Sequence, residues 1–301
     1  MRRRGHTKIL IFGATGMLGH KLLQSLSEQF LTRSTVRGDE TTFPYYQGMS
    51  SSSIIPHINA GDIAGVKAAI EKYEPDVVIN CIGIVKQLPA AHDPLQSIAI
   101  NALFPHQLAH ICQQRGIRLI HISTDCVFSG RKGNYSEDDF ADADDLYGRT
   151  KYLGEVDYEN ALTLRTSIIG RELGTNHGLI EWFLGQEGRT VSGYTNAIFS
   201  GLTTNALSDV IATIITDYPE MRGVWHVAAE PISKYDLLTL VKTVYNLSIE
   251  IQPDNSVVID RSLNGNKLRK NTNIIIPSWQ TMIEQMHQDS TPYAAMRAKK
   301  C

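Results

Sequence analysis

The sequence has only four cysteines among its 301 residues, and no two of them are closely spaced. Zinc-binding modules and disulfide frameworks need closely spaced cysteines, so we expect neither, and we predict no metal site. No run of about 18 apolar residues is present, which excludes a membrane-spanning helix. The net charge is −2, so the basic surface typical of nucleic-acid-binding proteins is missing as well. The scattered cysteines predict a protein of the reducing cytoplasm.

The sequence does contain an alternation of short apolar segments and longer amphipathic ones over its first 166 residues. The predicted strands are 8–12, 31–37, 77–82, 118–123 and 162–166, and the predicted helices are 17–30, 62–73, 94–115 and 147–159. Such alternation indicates βαβ units and a parallel sheet. We therefore predict an α/β fold: a Rossmann-type doubly wound parallel sheet in residues 1–166 and a smaller α/β substrate-binding lobe in residues 167–301, with chain crossings back to the first part allowed.

A glycine-rich turn follows the first predicted strand and opens the first predicted helix. Its spacing is GxxGxxG, in which glycine lets the backbone turn sharply and lets a pyrophosphate approach the N-terminus of the helix. The strand before the turn and the helix after it are the context in which this spacing indicates a dinucleotide site. The expected cofactor-binding residues here are Gly13, Thr15, Gly16, Met17, Leu18 and Gly19.

The end of the second predicted strand bears on which dinucleotide is bound. An acidic residue that holds the adenosine ribose usually lies about 20 residues beyond the turn. This sequence has Arg37 there, and no acidic residue before Asp39. An arginine can pair with a 2′-phosphate, so the sequence predicts NADP(H). The alternative is NAD(H), with Asp39 on the ribose.

Tyr147 and Lys151 form a YxxxK pair, and the i, i+4 spacing puts both on one face of a helix. A free tyrosine has a pKa of about 10, and a nearby ammonium group lowers it. Thr124 lies at the carboxyl end of a predicted strand, where parallel sheets bind their ligands. We therefore expect Thr124, Tyr147 and Lys151 to form a catalytic group in which Lys151 lowers the pKa of Tyr147.

Together, several segments resemble the extended short-chain dehydrogenases/reductases, and among them the dTDP-4-dehydrorhamnose reductase family. The segments are GATGMLG (13–19), the strand at 77–83, Asn101 to Pro105, STDCVFSG (123–130) and YGRTK (147–151). The resemblance covers nearly the whole chain. It implies an NADPH-dependent reductase of a nucleotide-linked 4-keto-6-deoxy sugar that works in deoxysugar or polysaccharide biosynthesis. In such an enzyme Tyr147 donates a proton to the C4 ketone oxygen as the nicotinamide delivers a hydride.

The same resemblance implies further contacts. Asp62 would approach the adenine with Ile63 beside it, and Asn101 would lie behind the catalytic group. The other expected cofactor contacts are Cys81, Ile82 and Gly83. The substrate contacts are Asp125, Val127, Phe128, Arg165, Trp182 and Phe199, with Arg171 and Lys234 as candidates for a diphosphate. The sequence does not specify which nucleotide base the sugar carries. Only the family resemblance implies a homodimer.

Cys126 departs from the family pattern, which usually has tyrosine at this position. Cysteine there resembles GDP-L-fucose synthase, which epimerises a 4-keto sugar through a Cys/His pair before reducing it. The alternative function is therefore a bifunctional 3,5-epimerase/4-reductase that uses Cys126 and His177 as acid and base. Cys126 can instead be a small buried residue and His177 a surface residue at a helix start, and the rest of the signature (Asp125, Val127 and Phe128) favours this interpretation because it follows the single-function reductase. A non-catalytic, NADP-binding regulatory subunit is a second alternative, against which the intact Thr124, Tyr147 and Lys151 argue.

Overall fold

The computed structural model describes residues 6–39 and 51–298, and seven of its strands form one parallel sheet. They are β1 (Lys8–Phe12), β2 (Leu31–Thr35), β3 (Ile54–Ile55), β4 (Val77–Asn80), β5 (Arg118–Thr124), β6 (Ala161–Thr166) and β10 (Gly223–His226). The spatial order is β10-β6-β5-β4-β1-β2-β3. The order reverses between β1 and β4, and ligands of doubly wound sheets bind at the carboxyl ends of strands at such a switch point. The predicted fold class is confirmed.

Two strands of the second half, β8 (Thr190–Phe199) and β12 (Glu250–Asp260), lie outside the predicted strands. With β11 (Ile232–Ser233) they form a three-stranded sheet in the order β11-β8-β12, and β7 (Ile168–Ile169) pairs with β9 (Leu202–Thr203). β10 also comes from beyond residue 166 but joins the edge of the large sheet beside β6. The chain therefore returns to the large sheet after it has begun the small one.

The helices flank these sheets. They are α1 (Met17–Ser27), α2 (Ile63–Tyr73), α3 (Pro94–Ser97), α4 (Phe104–Gln113), α5 (Leu146–Leu153), α6 (Leu179–Leu184), α7 (Thr204–Asp217), α8 (Lys234–Tyr245), α9 (Asn266–Asn271), α10 (Trp279–His287) and α11 (Tyr293–Ala298). A π-helical segment, Ile98–Leu103, joins α3 to α4, so the helix predicted over 94–115 is continuous but locally widened. None of the described helices is long and apolar enough to span a bilayer.

The core lies on both faces of the large sheet. In β1, Ile9 and Ile11 pack into one apolar cluster with α1 and α7, whereas Leu10 and Phe12 pack into a second cluster with α2 and α4. Successive side chains of a strand point to opposite faces, so a strand that is buried on both faces has a continuous apolar run. Burying each such side chain contributes about 1.5–3 kcal/mol. This double burial fixes the strand ends that carry the site.

Candidate active site

The connection between β1 and α1 forms a tight backbone cradle. Gly13 has a φ of 102°, in the left-handed region that favours glycine. A Cβ atom on Gly19 would lie 2.0 Å from the carbonyl oxygen of Gly13, so only glycine lets α1 approach β1 this closely. Gly16 is the N-cap of α1, and no side chain caps the first turn. The backbone N–H groups of this turn therefore fit the pyrophosphate of a dinucleotide.

The remaining residues of the turn differ in exposure. Thr15 is exposed and Met17 is part-buried at the start of the helix. Leu18 is buried in the core, so its side chain supports the turn from behind. Ala14 joins the turn to the next strand, because its N–H donates to the carbonyl oxygen of Thr35 at 3.1 Å.

Two predicted cofactor contacts lie beyond this turn on the same side of the sheet. Arg37 is exposed and follows β2 by two residues. Asp62 is the exposed N-cap of α2, and its side chain accepts from the Gly65 N–H at 3.1 Å. Ile63 is the part-buried first residue of that helix. Arg37 and Asp62 thus present one cationic and one anionic side chain to solvent beyond β2.

Asn101 holds the chain segment that follows β4. Its side-chain oxygen accepts from the Ile84 N–H at 2.8 Å, and its amide nitrogen donates to the Ile84 carbonyl oxygen at 3.0 Å. A Cβ atom on Gly83 would lie 3.5 Å from the Asn101 side-chain oxygen and 4.0 Å from the Lys151 ammonium nitrogen. The π-helical segment that carries Asn101 therefore holds the Gly83 backbone beside the predicted catalytic lysine.

Cys81 and Ile82 complete this wall of the cofactor path. The Cys81 N–H donates to the Phe12 carbonyl oxygen at 3.0 Å, and the Ile82 N–H donates to the Asn80 side-chain oxygen at 3.1 Å. Burial raises the pKa of the Cys81 thiol to about 12. The thiol therefore stays protonated at neutral pH and serves as part of an apolar wall.

Thr124 and Tyr147 meet at the carboxyl end of β5. Thr124 is the last residue of that strand, and its hydroxyl donates to the Asp125 carboxylate at 3.1 Å and accepts from the Cys126 N–H at 3.1 Å. Tyr147 is the second residue of α5, and hydrogen bonding with Thr124 acts to lower the pKa of its phenol. The structure thus places the two hydroxyl groups together, as the sequence predicts.

Lys151 lies one helical turn after Tyr147, and its ammonium donates to the Ile122 carbonyl oxygen at 2.8 Å. Burial lowers the pKa of Lys151 to about 8, against the opposing effect of the Glu155 carboxylate. Burial also raises the pKa of Tyr147 above its ordinary value, and the neighbouring Cys126 and Asp125 raise it further. Burial therefore has the largest effect on the pKa of Tyr147, and Lys151 is not among the main groups that shift it. Tyr147 is a neutral phenol at neutral pH, which is the form that can donate a proton.

Cys126 and His177 are not brought together by any contact among the described residues. Burial raises the pKa of the Cys126 thiol to about 12, and the Asp125 carboxylate raises it further. His177 is exposed, and the neighbouring Gly178 approaches Met17 so closely that a Cβ atom would lie 2.5 Å from the Met17 methyl carbon. The geometry therefore does not assemble the Cys/His pair of the epimerase alternative.

Arg165 is committed to the protein's own ion pair. Its guanidinium donates to both carboxylate oxygens of Glu155, at 2.8 and 2.7 Å, and both side chains are buried. Arg171, a diphosphate candidate, donates to the Glu181 carboxylate at 2.7 Å. Arg165 and Arg171 thus each pair with a carboxylate of the protein itself, and their expected substrate contacts stay a prediction.

The other predicted substrate residues fall into two groups. Asp125 and Phe199 are buried beside Lys234, whose ammonium lies 3.5 Å from the centre of the Phe199 ring. Val127 and Phe128 are fully buried in a small apolar cluster, and Trp182 is exposed on α6. Val127 and Phe128 therefore anchor the segment that follows Thr124 by packing into this cluster.

Sequence reasoning missed Gly148 and Arg261. A Cβ atom on Gly148 would lie 2.2 Å from the Cys126 carbonyl oxygen, so this glycine lets α5 reach the Thr124–Cys126 segment. Arg261 donates to the Phe128 carbonyl oxygen at 2.9 Å and acts to lower the pKa of Asp125. Gly148 stands inside the YGRTK segment and was visible there, whereas Arg261 is too far along the sequence for any local pattern to indicate it.

The family described as RmlD substrate binding domain matches residues 7–291 of the chain. The chain belongs to this family. The predicted relationship is confirmed, and with it the enzyme class, an NAD(P)-dependent reductase of sugar nucleotides. The chain that carries Thr124, Tyr147 and Lys151 in this arrangement is therefore a member of the RmlD family.

Curated relatives of this RmlD-family chain include a probable low-salt glycan biosynthesis reductase of Haloferax volcanii. It is 29% identical over 73% of this chain and 74% of its own length. The dTDP-4-dehydrorhamnose reductase of Salmonella typhimurium is 25% identical over 92% of this chain and 96% of its own length. A solved dTDP-4-dehydrorhamnose reductase from Bacillus anthracis, in complex with NADP, has a TM-score of 0.76 at 22% identity and covers 93% of this chain and 98% of its own. The similarity to the Bacillus anthracis structure supports the assigned fold.

Proposed function

We propose that this protein is an NADPH-dependent reductase of a nucleotide-linked 4-keto-6-deoxy sugar and acts in deoxysugar or polysaccharide biosynthesis. The observation that carries the proposal is the placement of Thr124, Tyr147 and Lys151 at the carboxyl edge of the sheet. Thr124 and Tyr147 present two hydroxyl groups side by side, and Lys151 stands next to Gly83 on the cofactor wall. Two adjacent hydroxyl groups can both donate hydrogen bonds to the oxygen of one ketone.

In this mechanism the bound NADPH supplies the hydride that reduces the ketone carbon. Thr124 and Tyr147 orient the ketone oxygen by hydrogen bonds, and the neutral phenol of Tyr147 donates the proton as the oxygen becomes an alkoxide. The Lys151 ammonium is held by the Ile122 carbonyl oxygen at 2.8 Å beside Gly83, from where it would hold a ribose hydroxyl of the cofactor.

Replacement of Tyr147 by phenylalanine tests the proposal. We expect NADPH oxidation with a dTDP-linked 4-keto-6-deoxyhexose to fall by about 10²–10⁴-fold, because the proton donor is lost. The dissociation constant of NADPH should stay within a factor of about three, because a single neutral hydrogen bond contributes little net energy. Tyr152→Phe is the matched control, since Tyr152 lies in the same helix with an exposed side chain. A wild-type protein that binds NADPH but reduces no dTDP-, UDP- or GDP-linked 4-keto sugar would favour the regulatory alternative.

The reductase acts without an epimerase step in this proposal. The support is the raised pKa of the Cys126 thiol, because a base for C3 or C5 must be deprotonated at working pH. We expect no solvent deuterium at C3 or C5 of the product formed in deuterated buffer. We also expect Cys126→Ser to retain reduction. Deuterium that disappears in the Cys126→Ser variant would restore the bifunctional alternative.

The protein works as a homodimer in this proposal, through an apolar surface on neighbouring helices. Leu95, Ile98 and Leu103 are exposed along the helix that runs from α3 to α4, and Leu153 is exposed on α5, which packs against it. Contiguous exposed apolar groups of this kind mark interaction surfaces. We expect Leu103→Glu to convert a dimer into a monomer in analytical ultracentrifugation, and a monomeric wild type would contradict this point.

The protein works in the cytoplasm in this proposal. Cys81, Cys112 and Cys126 are all unpaired thiols. Disulfides are rare in reducing compartments, so free thiols are the usual state of cysteine there. Microscopy of a tagged chain, with fractionation as a second readout, tests the location.

A further inference from the structure

The C-terminal helix α11 contacts α1 close to the glycine turn where α1 begins. Tyr293, the first residue of α11, is 2% exposed, and its hydroxyl oxygen lies 3.0 Å from Nε2 of His20. The other ring nitrogen of His20, Nδ1, lies 2.9 Å from the carbonyl oxygen of Gly16, which is the N-cap of α1. The two contacts therefore connect the C-terminal helix with the backbone of the turn that is expected to bind the pyrophosphate.

The direction of both hydrogen bonds follows from the carbonyl oxygen of Gly16. A carbonyl oxygen only accepts, so Nδ1 of His20 carries the proton and donates it to this bond. Burial lowers the pKa of His20 to about 4, so at neutral pH the ring is neutral and its Nε2 is an acceptor. Burial also raises the pKa of Tyr293 above its ordinary value, so the phenol keeps its proton. Tyr293 therefore donates to Nε2 and fixes the tautomer of His20 in which Nδ1 is the donor.

The Gly16 carbonyl bears on anion binding through the peptide unit to which it belongs. The peptide between Gly16 and Met17 is planar and trans, so its C=O and N–H groups point in opposite directions. With the carbonyl oxygen held toward His20, the Met17 N–H points out of the N-terminal end of α1, where a pyrophosphate would bind. Gly16 has no side chain to restrict its backbone, and no side chain caps this helix. The ring of His20 therefore restricts a peptide that glycine would otherwise leave free to rotate.

Other contacts hold the C-terminal segment against α1 and keep Tyr293 in place. Lys21, the residue after the histidine, pairs with the Asp289 carboxylate, and the two side chains are 5% and 8% exposed. The ring of Tyr293 packs into a small apolar cluster with Leu173 and Met296. None of these contacts uses the Tyr293 hydroxyl. Removal of the hydroxyl alone should therefore leave the segment docked and change only the hydrogen bond to the histidine.

We propose that Tyr293 is a positioning residue for the cofactor, which acts through the ring of His20 to orient the Gly16–Met17 peptide toward the pyrophosphate of NADP(H); this inference rests on the dinucleotide site of the proposed function. It makes the C-terminal segment a support of the cofactor site. A purely structural role for the same hydrogen bond would change the melting temperature and leave the cofactor affinity of the folded protein unchanged. Affinity measurements therefore separate the two roles.

The experiment measures NADPH binding by fluorescence titration, well below the melting temperature of each protein. Tyr293→Phe removes only the hydroxyl. Tyr73→Phe is the matched control, because the Tyr73 hydroxyl also donates to one acceptor, the Leu31 carbonyl oxygen at 2.7 Å, at the end of β2 remote from the glycine turn. Both substitutions are repeated in a His20→Asn background. The asparagine keeps a donor at the position of Nδ1 and has no group at the position of Nε2.

We expect Tyr293→Phe to weaken NADPH binding by about 3–10-fold, the range for one buried neutral hydrogen bond, and Tyr73→Phe to leave it unchanged. At saturating NADPH the kcat of Tyr293→Phe should stay within about twofold of wild type, because the reacting groups are untouched. In the His20→Asn background Tyr293→Phe should cause no further loss, because the hydroxyl acts only through the His20 ring.

Two results would overturn the inference. One is a Tyr293→Phe protein that melts at a lower temperature but binds NADPH as tightly as wild type, and the other is an equal loss of affinity in both backgrounds. NADPH binding is measured without a sugar substrate, so failure to reduce any 4-keto sugar would count against the proposed function alone. A wild type that binds no dinucleotide would overturn both.

Discussion

Gly148 packs directly against the carbonyl group of Cys126. A methyl group on the Gly148 α-carbon would lie 2.2 Å from that oxygen and 2.5 Å from the Ala143 side chain. Real Cβ atoms do not approach a backbone oxygen this closely, so a side chain here would push the two segments apart. One of these segments carries Thr124, and the other, α5, carries Tyr147. The alignment of the two hydroxyl groups therefore depends on the absence of a side chain between them.

Gly148→Ala should consequently reduce catalysis without removing any functional group. We expect kcat for ketone reduction to fall by about 10²-fold, because misplacement by about 1 Å costs this much in an oriented site. NADPH binding should be retained, since the glycine turn after β1 is not involved. Gly185→Ala is the control, because a Cβ atom there would lie 3.4 Å from its nearest neighbour. Equal kinetics for Gly148→Ala and wild type would contradict this account of α5 packing.

Local sequence patterns predicted the parts of the site that depend on neighbours in the chain. The strand at Lys8–Phe12 was predicted with its observed bounds, because a buried parallel strand is a continuous apolar run. The spacing of Gly13, Gly16 and Gly19 predicted the cradle, and the i, i+4 spacing of Tyr147 and Lys151 placed them on one face. Each of these features depends only on residues within about one helical turn or one strand of the chain.

Contacts between distant parts of the chain were not predictable from one sequence. Lys234 is brought to the Phe199 ring by the pairing of β11 with β8, and the sequence patterns predicted neither strand. The raised pKa of Tyr147 follows from burial, which no spacing of residues reveals. The pairing of Arg165 with Glu155 was not predicted either, because it depends on how α5 leads into the next strand.

Arg165 should act on stability and not on substrate affinity. Removing one partner of a buried ion pair leaves an uncompensated charge and costs about 3–5 kcal/mol. We expect Arg165→Met to lower the free energy of unfolding by this amount in urea titration. The double replacement Arg165→Met with Glu155→Met should recover most of the loss. A Km for the nucleotide sugar that rises by more than about tenfold in the folded single variant would instead support a substrate contact.

Arg37 should determine the choice between the two dinucleotides. Its exposed guanidinium, two residues beyond β2, can pair with the 2′-phosphate of NADPH, whereas NADH has no such group. We expect Arg37→Ala to lower kcat/KM for NADPH by about 10–100-fold and to leave that for NADH within about threefold. Arg33→Ala is the control, because Arg33 lies on β2 over the Tyr73 ring at 4.9 Å. A wild type that prefers NADH would contradict the NADP(H) assignment.

His20 should make the stability of the cofactor-binding part fall in mild acid. Its ring is fully buried and bonded to the Gly16 carbonyl oxygen at 2.9 Å and to the Tyr293 hydroxyl at 3.0 Å. Burial lowers the pKa of His20 from 6.5 to about 4, so the neutral ring is favoured in the folded state. The unfolded chain therefore binds the extra proton between pH 6.5 and 4, and the free energy of unfolding decreases as the pH falls through this window. We expect His20→Gln to lose about 3 kcal/mol less than wild type between pH 7 and 4 in urea titrations. Parallel losses in the two proteins would show that His20 does not titrate with unfolding.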